Sequence, residues 1–294
     1  MAVGSGLCLV DKPAGWTSHD VVARIRRLAG TRRVGHAGTL DPMATGLLVI
    51  GIDKATRLLG HLALTDKSYA ATIRLGQATT TDDAEGELLS QASADAVTDE
   101  AVCGAARRFR GDQQQVPSAV SAIKVGGRRA YARVRAGEEV VLASRPVHIS
   151  RLEVRRVDRP APGLIDVEVT LDCSTGTYVR AIARDLGDAL GVGGHLTVLR
   201  RTRVGPFEVA AARGLEELAA LPSPVLLTLS EAAGQCFRHR HLDTDQTRLL
   251  SYGRPLAAVG LSGTYAAFDP DGAVVALLDE RDGSARPVVV FAPA

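Results

Sequence analysis

Between residues 164 and 172 apolar and polar positions alternate without a break. Ile165, Val167, Val169 and Leu171 fall on one side, and Asp166, Glu168, Thr170 and Asp172 on the other. A period of two over this length predicts a β-strand with one buried face. The period then changes. Val179, Ile182, Leu186 and Leu190 recur at helical spacing, predicting a helix over about 177–190 that Gly191 closes. The same stripe appears in Val21, Val22, Ile25 and Leu28, opened by Thr17 or Ser18 as a cap and stopped by Gly30. A third helix is expected from Thr98 to about Phe109, with Gly111 beyond it. Residues 7–11, 46–52, 69–75 and 196–203 read as strands, whereas 34–42 has no clean period and reads as a loop.

After Leu221 the run Pro222, Ser223, Pro224 marks a boundary. Short strands follow at 265–268, 274–278 and 288–291, the first two joined by a Pro270-Asp271-Gly272 turn. Strands and helices do not alternate regularly enough for a doubly wound fold, so the expectation is α+β with a mixed sheet. A large domain over 1–228 and a small β-rich one over 229–294 are expected.

Composition narrows the classes. The 294 residues are 46% hydrophobic and 23% charged, ordinary values for a globular protein with a sizeable core. No apolar run approaches the roughly 18 residues of a membrane span, and the N-terminus has no secretory pattern. A cytoplasmic protein with no membrane association is expected. Cys8, Cys103, Cys173 and Cys236 are scattered, with no metal-ligand spacing, and read as reduced structural thiols. A net charge of +2 does not announce a nucleic-acid partner. The arginines are nevertheless grouped, at 24–33, 107–110, 128–135 and 200–203, which leaves room for a surface that tracks phosphates. Only four of 35 basic residues are lysine (Lys12, Lys54, Lys67 and Lys124), and residues kept against such a bias are candidates for a compact ammonium.

The densest polar segment is Arg33 to Gly46, RVGHAGTLDPMATG. Its glycines force tight turns, and Pro42 restricts Asp41 to extended geometry, which aims the carboxylate. The segment lacks the spacing of a nucleotide-binding loop, and one His with one Asp is too few ligands for a metal. On composition alone it is a catalytic loop or simply a turn between helix and strand.

GHAGTLDPMATG resembles the catalytic motif of the bacterial TruB-type tRNA pseudouridine synthases. VDKPAGWTSHDVV from Val10, KSYAATIRLG from Lys67 with TTTDDAEGE after it, QVPSAVSAIK from Gln115, CSTGTYVRAIARDLG from Cys173 and HLTVLRRTRVGPF from His195 resemble that family's other motifs, in family order. Together they span residues 7 to 207. The resemblance implies a mixed-sheet pseudouridine synthase catalytic domain with a C-terminal PUA-like RNA-binding domain. It implies conversion of uridine 55 in the tRNA T-loop to pseudouridine by base flipping, without cofactor or metal. The partner it implies is the T-arm stem-loop of tRNA, and a monomer with no obligate protein partner is expected.

The resemblance also assigns residues. Asp41 matches the essential carboxylate, Arg180 its cationic partner in the first turn of a helix, and Tyr69 the ring that stacks on the flipped uracil. Tyr178 and Leu199 match residues lining the same pocket, and His36 the wedge that enters the T-loop. Each has a plainer reading: Arg180 as a surface neighbour of Arg184, Tyr69 and Leu199 as core, His36 as a solvated loop residue. Lys12 and Lys124 are assigned to RNA contact or to scaffolding of the active-site loop. Lys124 lies in a segment, about 118–145, where the family has a mobile RNA-binding thumb. There Ser118 replaces a second proline and Val120 an aromatic residue. Two other readings share these motifs: an RNA-binding or RNA-folding module whose catalysis has lapsed, and a guide-RNA-dependent synthase.

Overall fold

The computed structural model describes residues 4–118 and 142–293, together with the main chain of two short paired strands, Lys124–Val125 and Arg128–Arg129. The side chain of Lys124 and most of the expected thumb segment therefore lie outside the described residues.

The main sheet contains β1 (Gly6–Lys12), β2 (Val34–His36), β3 (Thr45–Ile52), β4 (Lys67–Leu75) and β5 (Gly111–Gln115). It continues with β6 (Arg145–Ala161), β7 (Leu164–Cys173), β8 (Gly194–Val204), β9 (Phe207–Glu208) and β10 (Leu227–Thr228). The spatial order is β10-β1-β3-β8-β4-β7-β6-β5, with β2 on β3 and β9 on β8. The sheet is mixed because β8 lies parallel to β3, whereas its pairing with β4 is antiparallel.

Alternation explains the middle of this sheet. On β4, Lys67, Tyr69, Ala71, Ile73 and Leu75 are buried in strict turn, and on β7 Ile165, Val167, Val169, Leu171 and Cys173 do the same. Their register, Tyr69 opposite Leu171 and Ile73 opposite Val167, puts both apolar sets on one face. Helices α1 (Ser18–Ala29), α2 (Asp99–Arg108) and α3 (Val179–Ala189) cover that face with Val21, Ile25, Val102, Ile182 and Leu186. Helix α1 is opened by a capping box, in which the Asp20 N–H donates to Thr17 Oγ1 (3.1 Å) and the Thr17 N–H to Asp20 Oδ2 (3.0 Å). Gly30 closes it in the left-handed region, as its sequence position predicts.

The opposite face at the β1–β3 end is covered differently. Leu7, Leu9, Leu47 and Val49 pack against Ala232 and Ala233 of α4 (Leu229–Cys236) and against Phe268, Leu277 and Phe291. Phe268 and Leu277 belong to a second sheet of β11 (His239–His241), β12 (Leu256–Ala257), β13 (Tyr265–Phe268), β14 (Val274–Arg281) and β15 (Ser284–Val290), and Phe291 follows its last strand. The β10 strand pairs with β1, so the main sheet takes its last strand from residues just before α4.

Local expectations shift in three places. Residues 34–36 of the expected loop form β2, because the edge of β3 offers them a partner. The helix expected from 177 starts at Val179, with Tyr178 as its cap. The C-terminal part, expected to be β-rich, also contains α5 (Thr244–Ser251), capped by Asp243. Among the described residues no helix is long and apolar enough to cross a membrane.

Gly46 marks a tight crossing in the main sheet. It pairs with Arg201, its φ is 97°, and a Cβ there would lie 2.3 Å from the Arg201 carbonyl oxygen. Gly46→Ala is expected to lower unfolding stability by at least about 2 kcal/mol, since overpacking and left-handed strain add. Urea denaturation measures it; an unchanged midpoint would refute the crowding.

Candidate active site

Asp41 lies on the loop between β2 and β3, and the N-terminal segment grips that loop on both sides of it. Ser18, buried at the start of α1, donates through Oγ to the Leu40 carbonyl (3.1 Å) and accepts from the Leu40 N–H (2.9 Å). The Pro42 carbonyl accepts from the Gly15 N–H (2.8 Å) and from Lys12 Nζ (3.1 Å). The flanking peptides are thus held while the Asp41 side chain stays about one-third exposed, 34%.

Lys12 corrects one expectation. It is fully buried, and its ammonium also donates to the carbonyls of Pro13 (2.9 Å) and Trp16 (2.7 Å). Burial pushes its pKa down to about 8, offset in part by the charges of Asp41 and Glu85. A buried ammonium spent on three carbonyls does not reach RNA, so of the two roles expected for Lys12 the geometry leaves the scaffold.

Arg180, the second residue of α3, faces Asp41 across the cavity. Its Nη2 donates to Asp41 Oδ1 (3.2 Å), while Nε lies 3.0 Å from Oδ2, a close charge contact without hydrogen-bond alignment. Nη1 donates to the Thr81 carbonyl (2.9 Å) and lies 3.5 Å from Oδ2 of Asp83. Asp83 is itself buried, and it accepts from the Thr81 hydroxyl and the Glu85 N–H. The surface reading of Arg180 is excluded, since its side chain is only 5% exposed. Arg184 turns away instead, to Asp82, Asp185 and the Val116 carbonyl.

These groups open on a cavity of about 320 Å³ whose walls include Asp41, Tyr69, Tyr178, Arg180 and Leu199. Register brings them together: on β8, Leu199 pairs with Ala71 and Arg201 with Tyr69. Burial raises the Tyr69 pKa, which keeps it a neutral phenol. Tyr178 is fixed by Gln115, which accepts from its N–H (2.8 Å) and donates to its carbonyl (3.1 Å).

His36 is placed apart. It sits on β2, half-buried, with its ring edge-to-face to that of His19 at 5.8 Å, and it is not among the residues lining this cavity.

Sequence reasoning left several groups unassigned. Lys67 lines the cavity and donates to the carbonyls of Ala63 (3.0 Å) and Thr65 (2.8 Å), with burial pushing its pKa down to about 8. Arg201 lines it as well and donates to the carbonyls of Leu47 (2.7 Å), Gly38 (3.1 Å) and Thr39 (3.4 Å). Asp83, Ser18 and Arg145 were likewise missed. The scarcity of lysine and the place of Lys67 at the head of KSYAATIRLG were the signals that pointed to it. Among the described residues, no group of three or more His, Cys, Asp or Glu is placed to hold a metal ion.

Three family models tile the chain. One for the TruB family pseudouridylate synthase N-terminal domain matches residues 26–179. A tRNA pseudouridylate synthase B C-terminal domain matches 180–223, and a tRNA pseudouridine synthase II C-terminal model matches 237–292. The curated tRNA pseudouridine synthase B of Rhodococcus jostii (strain RHA1) is 60% identical over 294 residues, covering 99% of this chain and 95% of the relative. That of Thermobifida fusca (strain YX) is 57% identical, covering 99% of each, and that of Mycobacterium tuberculosis (strain ATCC 25618 / H37Rv) is 56% identical, covering 100% and 98%. Among solved structures, a chain from a Cbf5-Nop10-Gar1 complex superposes with a TM-score of 0.73 at 24% identity, covering 98% of this chain and 85% of that one. A chain from an H/ACA RNP bound to a substrate RNA containing 2'-deoxyuridine gives 0.73 at 22%, with the same coverage. At such identities these two speak for the fold, which they share across both sheets. With a family model over more than half its length and relatives matched nearly end to end, the chain belongs to the TruB family of pseudouridylate synthases.

Proposed function

We propose that this chain isomerises uridine 55 in the T-loop of tRNA to pseudouridine, acting on a base flipped out of the loop, with Asp41 as the essential carboxylate. The observation that carries the reading is the Asp41–Arg180 ion pair, at 3.0–3.2 Å, on the wall of a cavity with two tyrosines and a leucine. The relatives named for tRNA, at 56–60% identity, supply the substrate class.

The chemistry balances without a co-reactant. The bond between N1 of uracil and C1′ of ribose breaks, the ring turns over, and C5 bonds to C1′. The proton on C5 leaves, and N1 gains one. Nothing is oxidised and no group is donated, so the reaction calls for no cofactor. What it needs is a carboxylate that is ionised while the cavity is filled, and the guanidinium of Arg180 provides the counter-charge. Tyr69, held neutral by burial, serves first as an aromatic wall for the uracil; Tyr178 and Leu199 complete the slot. His36, outside the cavity, suits a wedge that enters the T-loop as the base leaves. The segment at about 118–145, with Lys124, would close on the T-arm. Residues 229–294 would extend the RNA surface as a PUA-like domain, and the chain would act as a monomer.

The reading in which catalysis has lapsed is disfavoured by the intact carboxylate, arginine and tyrosine around one cavity. The guide-RNA-dependent reading has behind it a 22–24% likeness to chains from an H/ACA RNP and from a Cbf5-Nop10-Gar1 complex.

Two measurements test this. Purified protein mixed with unmodified tRNA transcript is expected to give carbodiimide-detectable pseudouridine in the T-loop, and Asp41→Asn to abolish it while leaving RNA binding intact. Conversion that survives Asp41→Asn would overturn the mechanism. Lys12→Met should lower kcat at least about tenfold, because loop misplacement costs heavily in rate, with KM for tRNA changed less than about threefold. A rise in KM alone would restore Lys12 to the RNA surface.

A further inference from the structure

The cavity holds four cations, and three of them are committed. Lys67 and Arg201 are spent on backbone carbonyls, and Arg180 on Asp41, Asp83 and Thr81. The fourth is Arg145, the first residue of β6, paired in register with Gln115. Its guanidinium carbon lies over the Tyr178 ring, 4.5 Å from its centre, against an aromatic wall of the site. It also passes Gly176, whose φ is 85° and whose Cβ position would be 4.0 Å from Cζ, an ordinary contact distance. Two of its nitrogens, Nε and Nη2, are buried and have no hydrogen-bond partner among the described residues.

That pair has a chemical meaning. Nε–H and Nη2–H form one edge of the guanidinium, two parallel donors at the spacing of two oxygens on a single anion. Buried donors without acceptors are costly unless a ligand meets them. The only anionic oxygens an RNA substrate brings to this cavity are backbone phosphates, and a flipped nucleotide carries one on either side. We propose that Arg145 is a binding residue for a phosphate flanking the target uridine, taken side-on by Nε and Nη2 while Tyr178 holds the guanidinium plane. This rests on the RNA-modifying reading above. In this arrangement Gln115 and Arg145, neighbours across β5 and β6, both act on Tyr178: one fixes its main chain, the other stacks on its ring.

The test uses the full-length protein and a T-arm hairpin made in three forms: all phosphodiester, and with a neutral methylphosphonate at the phosphate 5′ or 3′ to the target uridine. On the phosphodiester hairpin, Arg145→Ala is expected to raise KM about ten- to a hundredfold with kcat nearly unchanged. It should also flatten the salt dependence of binding by roughly 0.7 in log–log slope, the loss of one phosphate contact on single-stranded RNA. On one of the two methylphosphonate hairpins, wild type and variant should converge. Arg145→Lys, which keeps the charge and loses the fork, should fall between them on the phosphodiester and also converge. An equal loss from Arg145→Ala on all three hairpins would overturn the proposal, leaving Arg145 a prop for Tyr178. Should the alanine variant fail to fold, as circular dichroism would show, the lysine variant decides by the same comparison. Wild-type protein that left even the phosphodiester hairpin unconverted would reject the function itself, a distinguishable outcome.

Discussion

A guanidinium almost wholly out of water must be met on every side by acceptors, and the centre of this molecule is arranged around that demand. Burying a charge costs several kcal/mol, repaid only when its partner is close and its remaining donors are bonded. Arg180 gets one carboxylate from the β2–β3 loop, a second from Asp83, and a carbonyl from Thr81. These come from two separate stretches of chain, the β2–β3 loop and residues 81–83, and Arg180 ties both to the first turn of α3. The stretch around Asp83 is tied in its turn to β8, since the Asp82 carbonyl accepts from the Leu196 N–H at 3.0 Å. A residue that orients a carboxylate therefore also joins the layers of the fold.

The loop that carries Asp41 meets the opposite problem. Ala37, Leu40 and Ala44 anchor it in the core, and its carbonyls then need donors away from water. Cations collect them: Lys12 takes Pro42, and Arg201 takes Gly38, Thr39 and Leu47. Lys12 suits its place because three carbonyls converge near one point, which a compact ammonium with three donors fits better than a planar fork. Arg201 spans a wider set, where the fork is the better shape. The scarce lysines Lys12 and Lys67 are thus spent on architecture, although their charge invites a reading as RNA contacts.

The regular parts of the fold were legible in the sequence wherever one face of an element meets one environment. β4, β7, α1 and α3 each keep their period, and each is close to its expected bounds. Strand β6 did not show itself, although it is 17 residues long. Bulges between Ile149 and Arg151, Val154 and Arg156, and Asp158 and Ala161 shift its register, so no single alternation runs through it. β2 was hidden for a different reason, since three residues at a sheet edge carry too little pattern to separate from a loop. In the site, Asp41, Tyr69 and Arg180 were reachable because a collinear set of motifs pointed at them. Ser18, Asp83 and Arg145 were not, because their importance lies in contacts 22 residues (Ser18 to Leu40) or 97 residues (Asp83 to Arg180) away along the chain, or in a ring beside the side chain. Nothing in the sequence around Lys12 could separate a phosphate contact from a carbonyl collector, since both ask for the same ammonium.

This arrangement weakens the fold at neutral pH. The pKa values of Lys12 and Lys67 are pushed down to about 8, from an ordinary 10.5, by burial. Between those values the folded chain binds fewer protons than the unfolded one, so stability rises with pH across that window. At neutral pH, below both values, each lysine is charged in either state and the folded chain carries the full burden of burying that charge. An apolar side chain at either position would remove the burden and also the donors that hold the loop. What the burial secures is preorganisation: most polar groups around the cavity are already bonded, and few are left to reorient when substrate arrives. The main exceptions are the exposed third of Asp41 and the two unbonded nitrogens of Arg145, both residues that line the same cavity from different elements. A site that satisfies its framework and leaves a carboxylate part-exposed and a guanidinium edge unbonded directs its remaining interactions to a ligand with a reacting centre and an anionic backbone, as a nucleotide within RNA has.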